Sequence, residues 1–202
     1  MTEDSEVRDY SQGGEQAAIL AAFAGFGRAG RYLDIGAFDA EKLSNTRALY
    51  EAGWCGTLVE PSPALMRKLL DVYGKDSNMQ LVQAVVATTN YLAPMTVSDD
   101  ALSTIKASNV EKWKSQANFL GRVFIPTLTV ADLARQFGPF DFVSIDSEGT
   151  SADLFLDLMR QRIMPRCVCV EHDDRVIEVQ SIATQNGYKV TWANQENLVM
   201  VL

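Results

Sequence analysis

With 202 residues, the chain is long enough for one domain with a full core and short for two. A hydrophobic share of 47% and a charged share of 22% are ordinary for a globular protein. The net charge of −8, with no basic run to offset it, argues against nucleic acid as a partner.

The longest apolar stretch, Ala17 to Phe26, is too short to span a bilayer, so no membrane partner is expected. The acidic start Met1-Thr2-Glu3-Asp4-Ser5-Glu6 is unlike a signal peptide. Cys55, Cys167 and Cys169 form no C-x-x-C pair, which predicts neither a disulfide framework nor a zinc site; a reducing cytoplasm is the simplest compartment. The single histidine, His172, excludes a multi-histidine metal site.

In chain order, Glu15 to Phe26 reads as an amphipathic helix between glycines. A strand near Tyr32 to Ile35 follows, then a helix from Asn45 to about Ala52 with Ser44 as its N-cap. Strand Gly56 to Glu60 is broken by Pro61-Ser62-Pro63, which starts a helix to about Tyr73, and Met79 to Ala87 reads as a third strand. Residues from about Thr88 to Val123 hold Pro94, the polar run Ser98-Asp99-Asp100 and a helical stretch around Trp113; they read as an excursion over the ligand site. Thr127 or Thr129 caps a helix from Val130 to Phe137, and Phe140 to Asp146 is a fourth, near-continuously apolar strand. A helix from about Ser151 to Gln161, strand Cys167 to Glu171 and a helix from about Asp174 to Asn186 come next. Tyr188 to Ala193 and Leu198 to Leu202 close the chain as a hairpin. Strands alternating with helices predict an α/β fold, a parallel sheet with one antiparallel strand. One domain over 1–202 is expected, with an N-terminal helical extension over 1–28 and a substrate-side excursion over 88–123.

Two strand ends carry the first functional signal. Tyr32-Leu33-Asp34-Ile35-Gly36-Ala37-Phe38-Asp39 and Thr57-Leu58-Val59-Glu60-Pro61 both run from an apolar strand into a carboxylate. At the carboxyl edge of a parallel sheet they would lie side by side, where such folds bind ligands. Glycine lets a ligand approach the backbone, and a carboxylate accepts hydrogen bonds from both ribose hydroxyls, so the pair suggests a nucleoside site. Gly36 stands alone where a dinucleotide fold needs G-x-G-x-x-G, and Asp39 would repel a diphosphate. The cationic S-adenosylmethionine suits Asp34 and Asp39, and NAD is disfavoured. Each acid taken singly reads first as a strand end or a helix cap, and only the combination points to a ligand.

These blocks, together with Tyr10-Ser11-Gln12, Ser44-Asn45-Thr46, Gly53-Trp54-Cys55-Gly56, Glu60-Pro61-Ser62-Pro63, Thr127-Leu128 with Asp132-Leu133, Asp141 to Gly149 and Val170-Glu171-His172, resemble the FkbM family of S-adenosylmethionine-dependent methyltransferases. The resemblance covers nearly the whole chain, with Leu102-Ser103-Thr104 as a family-like segment in the middle. It implies the class I methyltransferase fold, a Rossmann-like three-layer sandwich with a mostly parallel seven-stranded sheet and a C-terminal antiparallel hairpin. It also implies O-methylation of a hydroxyl, often on a sugar, a glycan or another small hydroxylated metabolite. The family usually has Asn at the position of Phe38, glycine at Ala40 and an acid at Ser151. These departures motivate the alternative of a non-catalytic cofactor-binding or scaffolding module.

On this reading Gly36, Ala37 and Phe38 line the cofactor loop, and Asp34, Asp39 and Asn45 meet the methionyl end. Glu60, with Pro61 and Ser62 beside it, takes the ribose; Ala84 and Val85 reach the adenine, and Asp146 closes the site. A general base must take the acceptor's proton, and the candidates are His172, Asp146 and Glu148. His172 has the suitable intrinsic pKa at a strand's carboxyl end, but a histidine tied to a backbone carbonyl reads equally well. Asp146, Glu171 and Asp173 have two readings, as oxygen ligands for Mg²⁺ or as caps of the following helices.

Overall fold

The computed structural model describes residues 8–98, 102–105 and 107–202; Met1 to Glu6 and Asp99-Asp100 of the polar run lie outside them. In chain order the elements are α1 (Glu15–Ala22), β1 (Arg31–Ile35), α2 (Arg47–Glu51), β2 (Cys55–Val59), α3 (Pro63–Tyr73), β3 (Met79–Val82), β4 (Val85–Val86), β5 (Leu92–Ser98), α4 (Ala107–Trp113), β6 (Phe119–Leu128), α5 (Val130–Phe137), β7 (Phe142–Ile145), α6 (Ser151–Arg160), β8 (Cys167–Glu171), α7 (Val176–Gln185), β9 (Lys189–Ala193) and β10 (Asn197–Val201).

Seven strands form one sheet in the order β3-β2-β1-β7-β8-β10-β9. Pairing is parallel from β3 through β8, and β10 runs antiparallel to both β8 and β9. Side chains alternate across the strands, so the sheet feeds two cores. Leu33, Ile35, Val143, Val168 and Val170 pack with residues of α5, α6 and α7. Tyr32, Phe142, Cys167, Cys169 and Val199 pack instead with Ile19, Leu49 and Leu69 of α1, α2 and α3. Both thiols are buried, each in a small apolar role. Every fully buried aliphatic side chain here contributes about 1.5–3 kcal/mol of transfer free energy, which is what holds the three layers together. Among the described residues no helix is long and apolar enough to cross a membrane.

Three expectations need correcting. The helix from Glu15 ends at Ala22, and the chain then turns through Gly25 and Gly27, both at positive φ, so that Phe23 and Phe26 pack on Trp54 at 4.7 and 5.9 Å between ring centroids. The third strand is two: β3 joins the large sheet, whereas β4 pairs with β6 in a second sheet of order β4-β6-β5. The middle segment is regular. β5 and β6 pair antiparallel from Leu92↔Pro126 to Ser98↔Phe119, and Ala93, Met95, Val97 and Ile125 form a third small core with Val85. Pro94 reads as a breaker in sequence, yet β5 is an edge strand, where a missing N–H is tolerated.

Candidate functional site

The ends of β1, β2 and β7 open onto a cleft whose empty volume is about 1140 Å³, mouth included. It is lined by Asp34, Gly36, Ala37, Phe38, Asn45, Glu60, Pro61, Ala84, Val85, Asp146 and Glu148. Thus the parallel pairing of β2, β1 and β7 brings together residues that are more than a hundred positions apart.

Gly36 stands where no other residue fits. Its φ is +82°, its N–H donates to the Val59 carbonyl at 2.9 Å, and a Cβ on it would lie 1.6 Å from the Asp146 carbonyl oxygen. The glycine is therefore required by the approach of the β7 end, in addition to any ligand. Phe38 is also left-handed, at φ 47°, a conformation costly for a bulky side chain and tolerated by asparagine. That geometry accounts for asparagine at this position in the resemblance.

Glu60 is 4% exposed and accepts two backbone hydrogen bonds, from Phe38 N at 3.1 Å and Ser62 N at 2.7 Å. It clamps the β1 loop to the start of α3, and burial pushes its carboxyl up to about 7. Asp34 accepts the Thr46 hydroxyl at 2.6 Å, and burial pushes it up to about 6. Asn45 donates to Ser144 Oγ at 3.3 Å, while its Oδ1 is enclosed without a partner.

On the β7 side, burial and the facing Glu171 raise the Asp146 carboxyl well above its ordinary value. Glu171, which faces Asp146, accepts the Ser151 hydroxyl at 3.0 Å. Glu148, left-handed at φ 52°, is pushed up to about 7 by burial and by Glu171. Its carbonyl accepts Asn109 Nδ2 at 2.9 Å, which ties α4 to the turn. Among the described residues no lysine, arginine or histidine lines the cleft.

Five candidate residues lie off the lining. Asp39 closes its own turn by accepting Glu41 N at 3.0 Å and Lys42 N at 3.1 Å. Ser62 is fully buried at the head of α3. His172 is 6% exposed; its backbone N–H donates to the Glu196 carbonyl at 2.8 Å, and its ring Nδ1 has no partner. Of the metal candidates, Asp173 accepts Ala152 N at 2.8 Å and so caps α6, the preceding helix and not the following one. Glu171 is occupied by Ser151 and Asp146. Among the described residues no three His, Cys, Asp or Glu side chains are placed to hold a metal ion, so the Mg²⁺ reading finds no support.

Met95, Ser103, Thr104 and Ile105, all from the middle segment, complete the wall, as do Gln12 and Ser144. Gln12 and Leu102-Ser103-Thr104 already stood in the resemblance; Met95 carried no sequence signal beyond its apolar side chain.

Strand order, the antiparallel terminal hairpin and a cleft at the carboxyl edge are those of the class I methyltransferase fold. The sequence matches the methyltransferase FkbM domain over residues 34–190, and the chain belongs to that family. Solved structures agree on the fold. A precorrin-6y C5,15-methyltransferase from Geobacter metallireducens GS-15 superposes with a TM-score of 0.50 at 12% identity, covering 96% of this chain and 90% of that one. WbdD, in a co-crystal with a kinase inhibitor, gives a TM-score of 0.52 at 10% identity, covering 96% of this chain and 41% of WbdD. No curated protein matches the sequence significantly.

Proposed function

We infer that this chain uses S-adenosylmethionine to methylate a hydroxyl of a sugar, a glycan or another small hydroxylated metabolite. The observation that carries the reading is the shared wall of Gly36, Phe38 and Glu60, a glycine-led loop and a buried carboxylate at neighbouring strand ends on one cleft. Such a wall fits a nucleoside, and the lack of lining cations among the described residues disfavours one that carries phosphates.

The residues fit the cofactor in kind. Asn45 Oδ1, enclosed and unpaired, is an acceptor for an ammonium group, with Asp34 beside it on the cleft wall. Glu60 keeps further lone pairs for ribose hydroxyls beyond its two backbone bonds. Ala84 and Val85 offer the apolar surface an adenine needs. Bound S-adenosylmethionine supplies an electrophilic methyl group to this site. An alcohol is a weak nucleophile, so its proton must leave as the new bond forms. Glu148 is the lining carboxylate best suited to take it, because its pKa of about 7 makes it a stronger base than an ordinary carboxylate while still ionised near neutrality. Asp146, which faces Glu171, lines the neighbouring wall.

Phe38 favours a second reading, a cofactor-binding module without turnover, since its side chain lines the cleft where the family usually has asparagine. Transfer of a labelled methyl group to a panel of sugars and hydroxylated metabolites separates the two. Methylated product supports the enzyme; cofactor binding with no product across the panel favours the module.

A further inference from the structure

The loop after β1 has already committed its first backbone donors. The N–H groups of Gly36 and Ala37 both go to the Val59 carbonyl, at 2.9 and 3.2 Å, and that of Phe38 goes to Glu60. Asn45 spends both hydrogens of Nδ2, on Ser144 Oγ at 3.3 Å and on Cys169 Sγ at 3.6 Å. Farther along the wall the hydroxyls of Ser147 and Thr150 bond each other at 2.8 Å. S-adenosylmethionine carries its carboxylate on the same carbon as its ammonium, so an acceptor for the one demands a donor for the other close by. With no cation lining the cleft among the described residues, that donor has to be neutral.

The N-terminal segment supplies one. Ser44 N donates to the Tyr10 carbonyl at 2.8 Å, which seats this segment against the neighbour of Asn45, and Gln12, two positions on, lines the cleft. Gln12 Nε2 donates one hydrogen to Glu196 Oε2 at 2.9 Å, which orients the carboxamide and leaves its second hydrogen unspent. Behind it the fully buried Glu15 accepts Gly13 N at 2.7 Å and Asn197 Nδ2 at 2.9 Å, pinning the segment to β10. We propose that Gln12 binds the methionyl carboxylate of S-adenosylmethionine through Nε2, which makes the segment from Tyr10 to Gly14 a wall of the cofactor site. This rests on the cofactor reading above and assigns it a further residue. The division of labour follows from donor and acceptor type: Asn45 Oδ1 and Asp34 take the ammonium, and the Gln12 amide gives the carboxylate a charge-assisted hydrogen bond.

The test removes one group from the ligand and one from the protein, and needs no methyl acceptor. S-adenosylmethionine and its decarboxylated form, which keeps the sulfonium and the amine, are titrated calorimetrically into the full chain and into Gln12→Ala. The general pull of the acidic cleft on the more cationic form is common to both proteins, so the change in the affinity ratio isolates Gln12. That ratio should shift about tenfold against S-adenosylmethionine in Gln12→Ala, with the decarboxylated form little affected. Gln12 is exposed, so the variant keeps the fold. Gln12→Glu, of the same shape but with a like charge, should shift the ratio further in the same direction. A ratio that changes less than about threefold in both variants, or equal weakening of both ligands, overturns the proposal while leaving the cofactor reading intact. Binding of neither ligand by the folded parent removes the cofactor reading and the proposal with it.

Discussion

Glu60 Oε2 accepts the backbone N–H of Phe38 at 3.1 Å, and Phe38 must hold a left-handed φ of 47° to present it. One buried carboxylate thereby fixes the loop after β1 from the end of β2. The same residue is the one assigned to the ribose, so loop geometry and ligand binding are coupled through a single side chain.

Replacing Phe38 tests the strain in this arrangement. Phe38→Ala and Phe38→Asn both remove the ring, but asparagine tolerates the left-handed region and alanine does not. The asparagine variant should be the more stable of the two by about 1 kcal/mol in chemical denaturation. Equal stability would show that the loop relaxes out of this conformation.

Gly36→Ala carries the opposite expectation. A Cβ 1.6 Å from the Asp146 carbonyl oxygen has rigid backbone against it, so the β1 and β7 ends must separate. A loss of about 3 kcal/mol or more is expected in the thermal or denaturant midpoint, together with loss of ligand binding. A variant that unfolds like the parent would contradict the strand-end packing.

The buried acids also set a pH dependence. The Glu60 carboxyl ionises near 4.5 when unfolded and about 7 when folded. A raised acid stabilises the fold fully below its unfolded value and loses that contribution as pH rises through the folded one. Stability of the ligand-free protein should fall between pH 4.5 and about 7, with Glu60 supplying on the order of 3 kcal/mol. Asp132, held well below the ordinary carboxylate range chiefly by Thr129, acts in the other direction, but only at more acid pH. A melting temperature that rises steadily across the Glu60 window would sink this assignment; the Glu60→Ala variant should flatten the slope.

Much of this was readable in the sequence. Apolar runs ending in acids marked β1, β2, β7 and β8, because strands buried on both faces need continuous apolar residues. The loop glycine and the β2 carboxylate stood out for the same reason. The second sheet did not, since Pro94 and Pro126 lie on its strands and its outer face exposes Leu92 and Phe124, a pattern that mimics a loop. The acids of the site were visible, but their division of labour was not. Asp173 and His172 differ from Glu148 only in where short turns aim them, and left-handed residues at Glu148, Asp173 and Asp174 set those turns.

That division gives a further prediction once an acceptor is in hand. Glu148→Gln should lower turnover by about a hundredfold or more, the usual contribution of a general base. His172→Ala, off the cleft, should cost less than about tenfold in the same assay. The reverse order of effects would return the base to His172.

The account stands or falls on the cofactor. Calorimetric titration of the purified chain with S-adenosylhomocysteine, with NADH as the control and Glu60→Ala as the variant, tests it most directly. Saturable binding of S-adenosylhomocysteine alone is predicted, weakened by about tenfold or more when the Glu60 carboxylate is removed. Binding of NADH in preference, or no binding of S-adenosylhomocysteine by the folded protein, would contradict the central claim.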